Sequence, residues 1–255
     1  MIRAVLFDLD ETLIEEDAVV AEAFAATAAR AAERYDADPA RLAADARVRA
    51  RELWRAAPGY DWCARIGISS WEGLHGRFEG DVPELAALRA WAPEFRRAAW
   101  AAALEDQRID DPALAQELAD RYVAERAARH RVYPDAAPVL DALAATHRLG
   151  LVTNGASCVQ WDKLRASGFA DRFASVVVSA EVGAGKPDPA PFRRALRELG
   201  AEPADAVMVG DNLKRDIAGA ENAGLRAVWL DRRHRPAPPG VTTIHTLADL
   251  PRAIA

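Results

Sequence analysis

The stretch Val5-Leu6-Phe7-Asp8-Leu9-Asp10-Glu11-Thr12-Leu13 decides how the rest of the chain is interpreted. Its apolar run from Ala4 to Phe7 predicts a short buried strand, which two carboxylates and a threonine follow at once. In a continuing strand Asp8 and Asp10 would share one face, and nothing apolar would offset the burial of both charges. We therefore expect the strand to end at Asp8. The chain then forms either a solvent-exposed acidic turn or a loop over a charged site.

Length and composition indicate a folded protein with room for one large domain, or for a core with an insertion. The chain has 255 residues, of which 51% are apolar and 28% charged, so a disordered chain is excluded. Its formal net charge of −6 argues against a nucleic acid polymer as a partner. We expect no signal peptide and no membrane span, since no apolar stretch approaches ~20 residues. The two cysteines are isolated, which favours reduced thiols and a cytoplasmic location.

Residues 16–130 predict an all-helical insertion. Apolar residues recur at helical spacing through this region, and no run in it indicates a strand. Ser69-Ser70-Trp71-Glu72 has the spacing of a capping box, and Asp111-Pro112 is typical of a helix start. Pro93 predicts a kink or a break in the helix around it. Residues 60–71 lack a clear apolar period, so we expect a shaped loop there.

Past Arg131 the pattern changes to alternating strands and helices. Strands are predicted at residues 149–152, 175–178, 206–209 and 226–230, with a short strand near Thr243 and a last helix after it. This alternation predicts right-handed crossovers and a parallel sheet. The predicted fold class is therefore α/β, a doubly wound parallel sheet. Residues 1–15 and 131–255 form its core, and residues 16–130 are inserted after the first strand.

Polar side chains stand at four predicted strand ends on one edge of this sheet. Each group after the first strand has an ordinary structural explanation. Thr153-Asn154-Gly155 could be a turn, Lys186 a surface residue, Asp211 a helix cap and Asp216 a solvated charge. Their joint occurrence, together with the two carboxylates of the first strand, favours one site where open α/β sheets bind ligands. Lysine occurs only at positions 163, 186 and 214 in a chain that otherwise uses arginine, which draws attention to each.

Four motifs in this set resemble those of the haloacid dehalogenase superfamily. They are Asp8-Leu9-Asp10-Glu11-Thr12, Thr153-Asn154-Gly155, Lys186-Pro187, and Gly210-Asp211 with Asp216 after it, in that family's order. The helical insertion resembles the family's C1-type cap, and the motif spellings look most similar to N-acylneuraminate-9-phosphatases and pyrimidine 5′-nucleotidases. The resemblance implies a Rossmann-like core and a Mg²⁺-dependent phosphatase. Its substrate would be a small phosphomonoester, a sugar phosphate or nucleotide monophosphate, hydrolysed through an aspartyl-phosphate.

The resemblance also implies a role for each motif residue. Asp8 matches the nucleophile, and Asp10 matches a general acid that must be protonated when the leaving oxygen departs. Thr153, Asn154 and Lys186 match phosphate-binding residues. Mg²⁺ would be bound by the carboxylates of Asp8 and Asp211 and by the backbone carbonyl of Asp10. Thr12 would support the loop around Asp10, and Asp216 would orient Lys186 or a metal-bound water. In the insertion we expect Tyr60 and Trp71 to contact the leaving group, with Trp71 as an anchor of the insertion's own core as the alternative.

Asp10 also bears on the type of reaction. Dehalogenating members of the superfamily lack an acidic residue at this position, because no leaving alkoxide needs a proton. The resemblance therefore favours phosphoryl chemistry. A phosphomutase uses the same pair of aspartates and stays open. A catalytically silent binding protein is disfavoured because every motif residue is present.

Overall fold

The structure, a computed structural model, describes residues 2–255 and divides into two compact units. The first, here called the sheet unit, contains residues 2–15 together with Arg131–Ala255. The second, the helical unit, contains Glu16–His130. The helical unit is thus a single excursion of the chain between the first two strands of the sheet.

The helical unit contains six α-helices and no strand within residues 16–130. They are α1 (Glu16–Ala28), α2 (Pro39–Trp54), α3 (Tyr60–Ile66), α4 (Ser70–Gly73), α5 (Pro83–Glu105) and α6 (Pro112–Ala127). Aromatic rings fill its core, and Phe24, Trp100 and Tyr122 are almost completely buried. The carboxylate of Asp111 caps α6 by accepting from the backbone N–H groups of Ala113 and Leu114, as its sequence predicts.

Two local expectations for the helical unit need correction. Pro93 does not break its helix, since α5 runs on from Pro83 to Glu105, and of the two predicted effects only a kink stays a prediction. Proline removes one backbone hydrogen bond, but buried neighbours on either side, including Ala92 and Phe95, keep both halves in one packed face. Residues 60–71 are not one shaped loop, since they contain α3 and the start of α4. Both helices are too short for an apolar period to be visible in the sequence. The side chain of Ser69 caps α4 by accepting from the backbone N–H of Glu72, as the capping-box spacing predicts.

The sheet unit is built on six parallel strands. They are β1 (Ala4–Phe7), β2 (Arg148–Thr153), β3 (Ser175–Val178), β4 (Ala206–Gly210), β5 (Arg226–Leu230) and β6 (Thr242–Ile244). Their spatial order is β3-β2-β1-β4-β5-β6, and every neighbouring pair is parallel. The predicted doubly wound α/β fold is confirmed.

Helices cover the sheet on two faces. They are α7 (Ala136–Ala144), α8 (Ser157–Ala166), α9 (Ser179–Val182), α10 (Pro189–Leu199), α11 (Ala218–Asn222) and α12 (Leu250–Ile254). Alternate residues of a strand point to opposite faces, so Val5 and Phe7 pack with α7 and α12 while Leu6 packs with α10. Because both faces are covered, all four residues of β1 are buried, which accounts for its unbroken apolar run.

The chain enters and leaves the helical unit through a short paired segment, here called the clip. The clip consists of residues 13–15 and residues 131–133. Ile14 forms an antiparallel bridge with Val132. The backbone N–H of Glu15 donates to the carbonyl of Arg131 at 3.0 Å, and that of Tyr133 donates to Leu13 at 3.0 Å. The clip therefore ties together the two points where the insertion departs from the sheet unit.

Candidate active site

The site lies at the carboxyl ends of the central strands. β1 lies between β2 and β4, where the order of the strands reverses direction. Doubly wound sheets bind ligands in the crevice that this reversal opens. The backbone N–H of Asp8 donates to the carbonyl of Val209 at 3.0 Å, so Asp8 follows β1 directly and lies beside the end of β4. Sequence-predicted groups after β1, β2 and β4 thus share one edge.

Lys186 lies buried between two carboxylates. Its Nζ is 2.6 Å from Asp8 Oδ1 and 2.6 Å from Asp216 Oδ1, and the Lys186 side chain is 2% exposed. Burial alone would lower the pKa of Lys186, but the charges of Asp216 and Asp8 outweigh it and raise that pKa. Lys186 therefore stays an ammonium, joined to the predicted nucleophile on one side and to Asp216 on the other.

The backbone of Lys186 is held by Asn154. The backbone N–H of Lys186 donates to Asn154 Oδ1 at 2.8 Å, and Asn154 Nδ2 donates to the Lys186 carbonyl at 2.9 Å. This two-bond contact fixes the loop after β3 to the end of β2. Because the side-chain amide of Asn154 is used here, a phosphate contact by Asn154 would have to come from its backbone N–H.

Thr153 does not present its hydroxyl proton to a ligand in this arrangement. Its Oγ1 donates to Gln160 Oε1 at 2.9 Å, and both residues are 1% exposed. Gln160, on α8, is a site residue that the sequence motifs do not reveal. The predicted contact between the Thr153 hydroxyl and phosphate therefore requires this hydrogen bond to rearrange.

Asp10 pairs with Lys163, a second partner that the motifs do not reveal. Lys163 Nζ, also on α8, lies 3.0 Å from Asp10 Oδ1 and 3.0 Å from Oδ2. A cation in contact with both oxygens favours the ionised carboxylate. This contact orients the carboxylate of Asp10, and the proton transfer predicted for Asp10 stays a prediction.

Three carboxylates converge beside Lys186. Oxygens of Asp8, Asp211 and Asp216 lie within 4.8 Å of one another. Burial raises the pKa of Asp8 to about 6, against the opposing charge of Lys186. Burial, and then the charges of Asp8, Asp216 and Glu11, raise the pKa of Asp211 to about 8. The single positive charge of Lys186 cannot balance three ionised carboxylates. A hard divalent cation, which prefers oxygen ligands, would balance the remaining negative charge.

Both carboxylate oxygens of Asp216 contact neighbouring groups. It is fully buried, its Oδ1 pairs with Lys186 and its Oδ2 accepts from the backbone N–H of Asn212 at 2.9 Å. A Cβ placed on Gly210 would come within 2.3 Å of Asp216 Oδ2, so only glycine leaves room for this carboxylate. Asp216 is thus an ion-pair partner of Lys186 whose second oxygen is also occupied. The carboxylates of Asp8 and Asp211 are therefore the better candidates for metal ligands.

The loop after β1 is held in place by Arg232. Thr12 is fully buried, and its Oγ1 has no hydrogen-bond partner among residues 2–255. Its carbonyl instead accepts from Arg232 Nη2 at 3.0 Å. Arg232 also pairs with Asp135 at 2.9 Å and lies 3.7 Å above the ring of Tyr133. Arg232 therefore contacts this loop through the carbonyl of Thr12, and the support of the loop by Thr12 stays a prediction.

Comparison with known proteins agrees with this geometry. A family model described as haloacid dehalogenase-like hydrolase matches residues 2–224. The chain belongs to the haloacid dehalogenase-like hydrolase family. It is accordingly an enzyme, and the resemblance seen in its four motifs is confirmed.

Members of the haloacid dehalogenase-like family with different activities are similar to this chain. Phosphoserine phosphatase of Thermus thermophilus is 40% identical over 249 residues, which is 97% of this chain and 96% of that protein. A pyrimidine 5′-nucleotidase of Escherichia coli is 37% identical over 118 residues, 46% of this chain and 52% of that protein. The crystal structure of 2-haloacid dehalogenase from Pseudomonas syringae pv. tomato superposes with a TM-score of 0.63 at 30% identity, covering 100% of this chain and 98% of that one.

The remaining predicted residues of this haloacid dehalogenase-like chain lie in the helical unit. Trp71 is half-buried, with its ring 5.7 Å from that of Phe24 and 4.7 Å from the guanidinium of Arg51. These contacts agree with the alternative that Trp71 anchors the unit's own core. Tyr60 begins α3 and is 38% exposed. Contact of either residue with a leaving group stays a prediction. No helix in residues 2–255 is both long and apolar enough to cross a membrane.

Two carboxyl groups of this haloacid dehalogenase-like site, those of Asp8 and Asp211, have raised pKa values. When divalent cations are absent, these values predict that the stability of the folded protein decreases as pH rises. The folded protein keeps protons on Asp8 and Asp211 at pH values where the unfolded chain, with an ordinary pKa of 3.8, has released them. The free energy of unfolding should therefore fall as pH rises from 3.8 through about 6 for Asp8 and about 8 for Asp211. Asp211→Asn should flatten the upper part of this decline and raise Tm near its alkaline end, at about 2–4 °C per kcal/mol.

Thermal unfolding in EDTA across this pH range measures the effect. Asp171→Asn, at an exposed carboxylate of the sheet unit, is the matched control and should leave the slope unchanged. A Tm that stays level or rises over the upper half of the range in EDTA would contradict the assignment. Added Mg²⁺ should raise Tm most at the alkaline end, where fewer protons compete for the carboxylates.

Proposed function

We propose that this protein is a Mg²⁺-dependent phosphatase that hydrolyses a small phosphomonoester through an aspartyl-phosphate on Asp8. One observation carries the proposal. A buried ammonium, Lys186, lies 2.6 Å from Asp8 beside a cluster of further carboxylates at the switch point of the sheet. A carboxylate that must attack a dianion needs such a cation next to it. The chain also belongs to a hydrolase family and is similar to a phosphatase, which supports the proposed phosphatase activity.

The carboxylates of Asp8 and Asp211, with the backbone carbonyl of Asp10, are the proposed Mg²⁺ ligands. Two like charges 4 Å apart repel by about 4 kcal/mol at an effective dielectric constant of about 20. A substrate phosphate would meet this repulsion from each ionised carboxylate of the cluster. A bound Mg²⁺ would supply charge neutralisation and a template for the phosphate oxygens. Lys186 adds a second positive charge that the chain itself holds in place.

The residues of the chain divide the reaction into two displacement steps. In the first, an oxygen of Asp8 bonds to phosphorus, the bond from phosphorus to the leaving oxygen breaks, and that oxygen takes up a proton through Asp10. In the second, Asp10 accepts a proton from water, the water oxygen bonds to phosphorus, and Asp8 is released as a carboxylate with inorganic phosphate as product. The ammonium of Lys163, 3.0 Å from Asp10 Oδ1, would favour the ionised carboxylate that Asp10 needs at the start of this second step.

Phosphorylated amino acids join sugar phosphates and nucleotide monophosphates as proposed substrates. The likeness to a phosphoserine phosphatase extends over 97% of this chain, whereas that to a pyrimidine 5′-nucleotidase extends over 46%. We further propose that the helical unit serves as the cap that distinguishes leaving groups, with Tyr60 and Trp71 among its contacts. Dehalogenation is the competing activity, since one similar structure is a 2-haloacid dehalogenase. The carboxylate of Asp10 argues against it, because a leaving halide needs no proton.

A substrate panel tests the proposal. Purified protein should release inorganic phosphate from one or more of phosphoserine, sugar phosphates and nucleotide monophosphates in the presence of Mg²⁺, and should stop releasing it in excess EDTA. The same preparation should release no chloride from 2-chloropropanoate. Full turnover in EDTA would exclude the metal-dependent mechanism, and chloride release without phosphate release would replace the phosphatase by the dehalogenase.

A further inference from the structure

Lys163 is a buried cation for which the motifs give no function. It is 8% exposed and lies within α8, whose next residue, Leu164, is fully buried in the core of the sheet unit. Its ammonium reaches across 153 positions of sequence to both oxygens of Asp10, at 3.0 Å each. A contact to both oxygens fixes the plane of a carboxylate as well as its position.

The same helix also orients a second residue of the site. Gln160 precedes Lys163 by three positions, so both side chains project from one face of α8. Gln160 accepts from the hydroxyl of Thr153 at the end of β2, while Lys163 holds Asp10 in the loop after β1. This face of α8 therefore supports polar groups from two of the strand ends that form the site.

We propose that Lys163 is a positioning residue that acts on the reaction through Asp10, an inference that rests on the proposed phosphatase function. The side chain of Asp10 is 31% exposed, whereas that of Lys163 is 9% exposed and lies behind it. Asp10 can therefore meet the leaving group or water, and Lys163 is shielded from both. By holding both oxygens, Lys163 limits the rotations that would take Asp10 away from the proton it transfers. The compact ammonium suits this enclosed place better than the wide fork of arginine.

A double-mutant cycle tests whether Lys163 works through Asp10. Lys163→Met should lower kcat for an alkyl phosphate by on the order of 10-fold to 10²-fold, within the range that general acid–base catalysis supplies, and should leave KM nearly unchanged. In the Asp10→Asn background the same substitution should have no further effect, because the group it positions is already lost. p-Nitrophenyl phosphate, whose leaving group needs little protonation, should show a smaller loss of kcat/KM than the alkyl phosphate.

Matched variants separate positioning from general damage. Arg165→Met removes an exposed cation from the same helix and should leave kcat and Tm unchanged. Lys163→Arg, which keeps the charge, should retain more activity than Lys163→Met. If the Tm of Lys163→Met is much lower than that of the parent, Lys163→Gln replaces it in the cycle. Gln also removes the charge but keeps a polar group at the end of the side chain.

The outcomes distinguish this inference from the function on which it rests. A parent protein without Mg²⁺-dependent phosphatase activity would remove the proposed function. An active parent with Lys163 variants equal to it would remove only the positioning role. Equal losses from Lys163→Met in the parent and in the Asp10→Asn background would show that Lys163 acts independently of Asp10, and would also overturn the inference.

Discussion

Replacing Asp8 by asparagine should lower kcat by about 10⁴-fold or more while the protein stays folded, as the loss of a nucleophile does in other hydrolases. The amide oxygen of asparagine is a poor nucleophile for phosphorus, so the first displacement cannot begin. Its shape nevertheless matches that of aspartate, and its oxygen can still accept from Lys186, which lies 2.6 Å from Asp8 Oδ1. The substitution also removes a buried charge, so no loss of stability is expected from the carboxylate itself.

Two measurements make this prediction specific to a phosphorylated Asp8. Acid-quenched parent enzyme in turnover should contain a phosphorylated fraction by intact-protein mass spectrometry, and Asp8→Asn should contain none. Asp171→Asn, at an exposed position of the sheet unit, controls for the change from carboxylate to amide and should keep full activity. Activity of Asp8→Asn within tenfold of the parent would show that another residue is the nucleophile.

Lys186→Arg should cost about 10²-fold or more in kcat, on the scale of a lost electrostatic contact to the transition state. The ammonium fits between Asp8 and Asp216 at 2.6 Å from each, and its side chain is 2% exposed. A planar guanidinium is wider and points its donors along fixed directions, so it cannot occupy this place without moving a carboxylate. Charge alone would therefore fail to replace lysine.

The experiment compares three variants. Lys186→Arg and Lys186→Met should both lose activity, and Lys186→Met should also lower Tm because Asp8 and Asp216 then lack their cation. Lys214→Arg makes the same chemical change at an exposed lysine of the sheet unit and should leave kcat unchanged. Near-parental kcat in Lys186→Arg would exclude the bridging role that the distances suggest.

The parts of the site that the sequence predicts are those set by strand ends. The apolar run of β1, the alternation of strands and helices, and the polar residues after each strand together predict that Asp8, Lys186 and Asp211 meet at one edge. Parallel strands bring their carboxyl ends together whatever the loops do, so this conclusion needs no tertiary detail. The pairing of Lys186 with Asp8 follows from the same geometry once charge is considered.

The supporting residues were not predictable in the same way. Lys163 and Gln160 contact the site from one face of α8. Which face of that helix turns toward the site depends on how the helix packs on the sheet. No local pattern joins Lys163 to Asp10 across 153 residues. Arg232, which holds the carbonyl of Thr12, comes from the loop after β5, where a run of arginines gives no sign of which one turns toward the site.

Because residues 13–15 pair with residues 131–133, the two ends of the helical unit leave the sheet unit side by side. A segment of another length or fold could be exchanged at this point in evolution without stretching β1 or β2. The entropy of closing a longer segment adds only about 0.6 kcal/mol for each doubling of its length. Recombination at the clip would thus carry the carboxylates and Lys186 along unchanged. The chemistry and the inserted segment can in this way diverge at different rates.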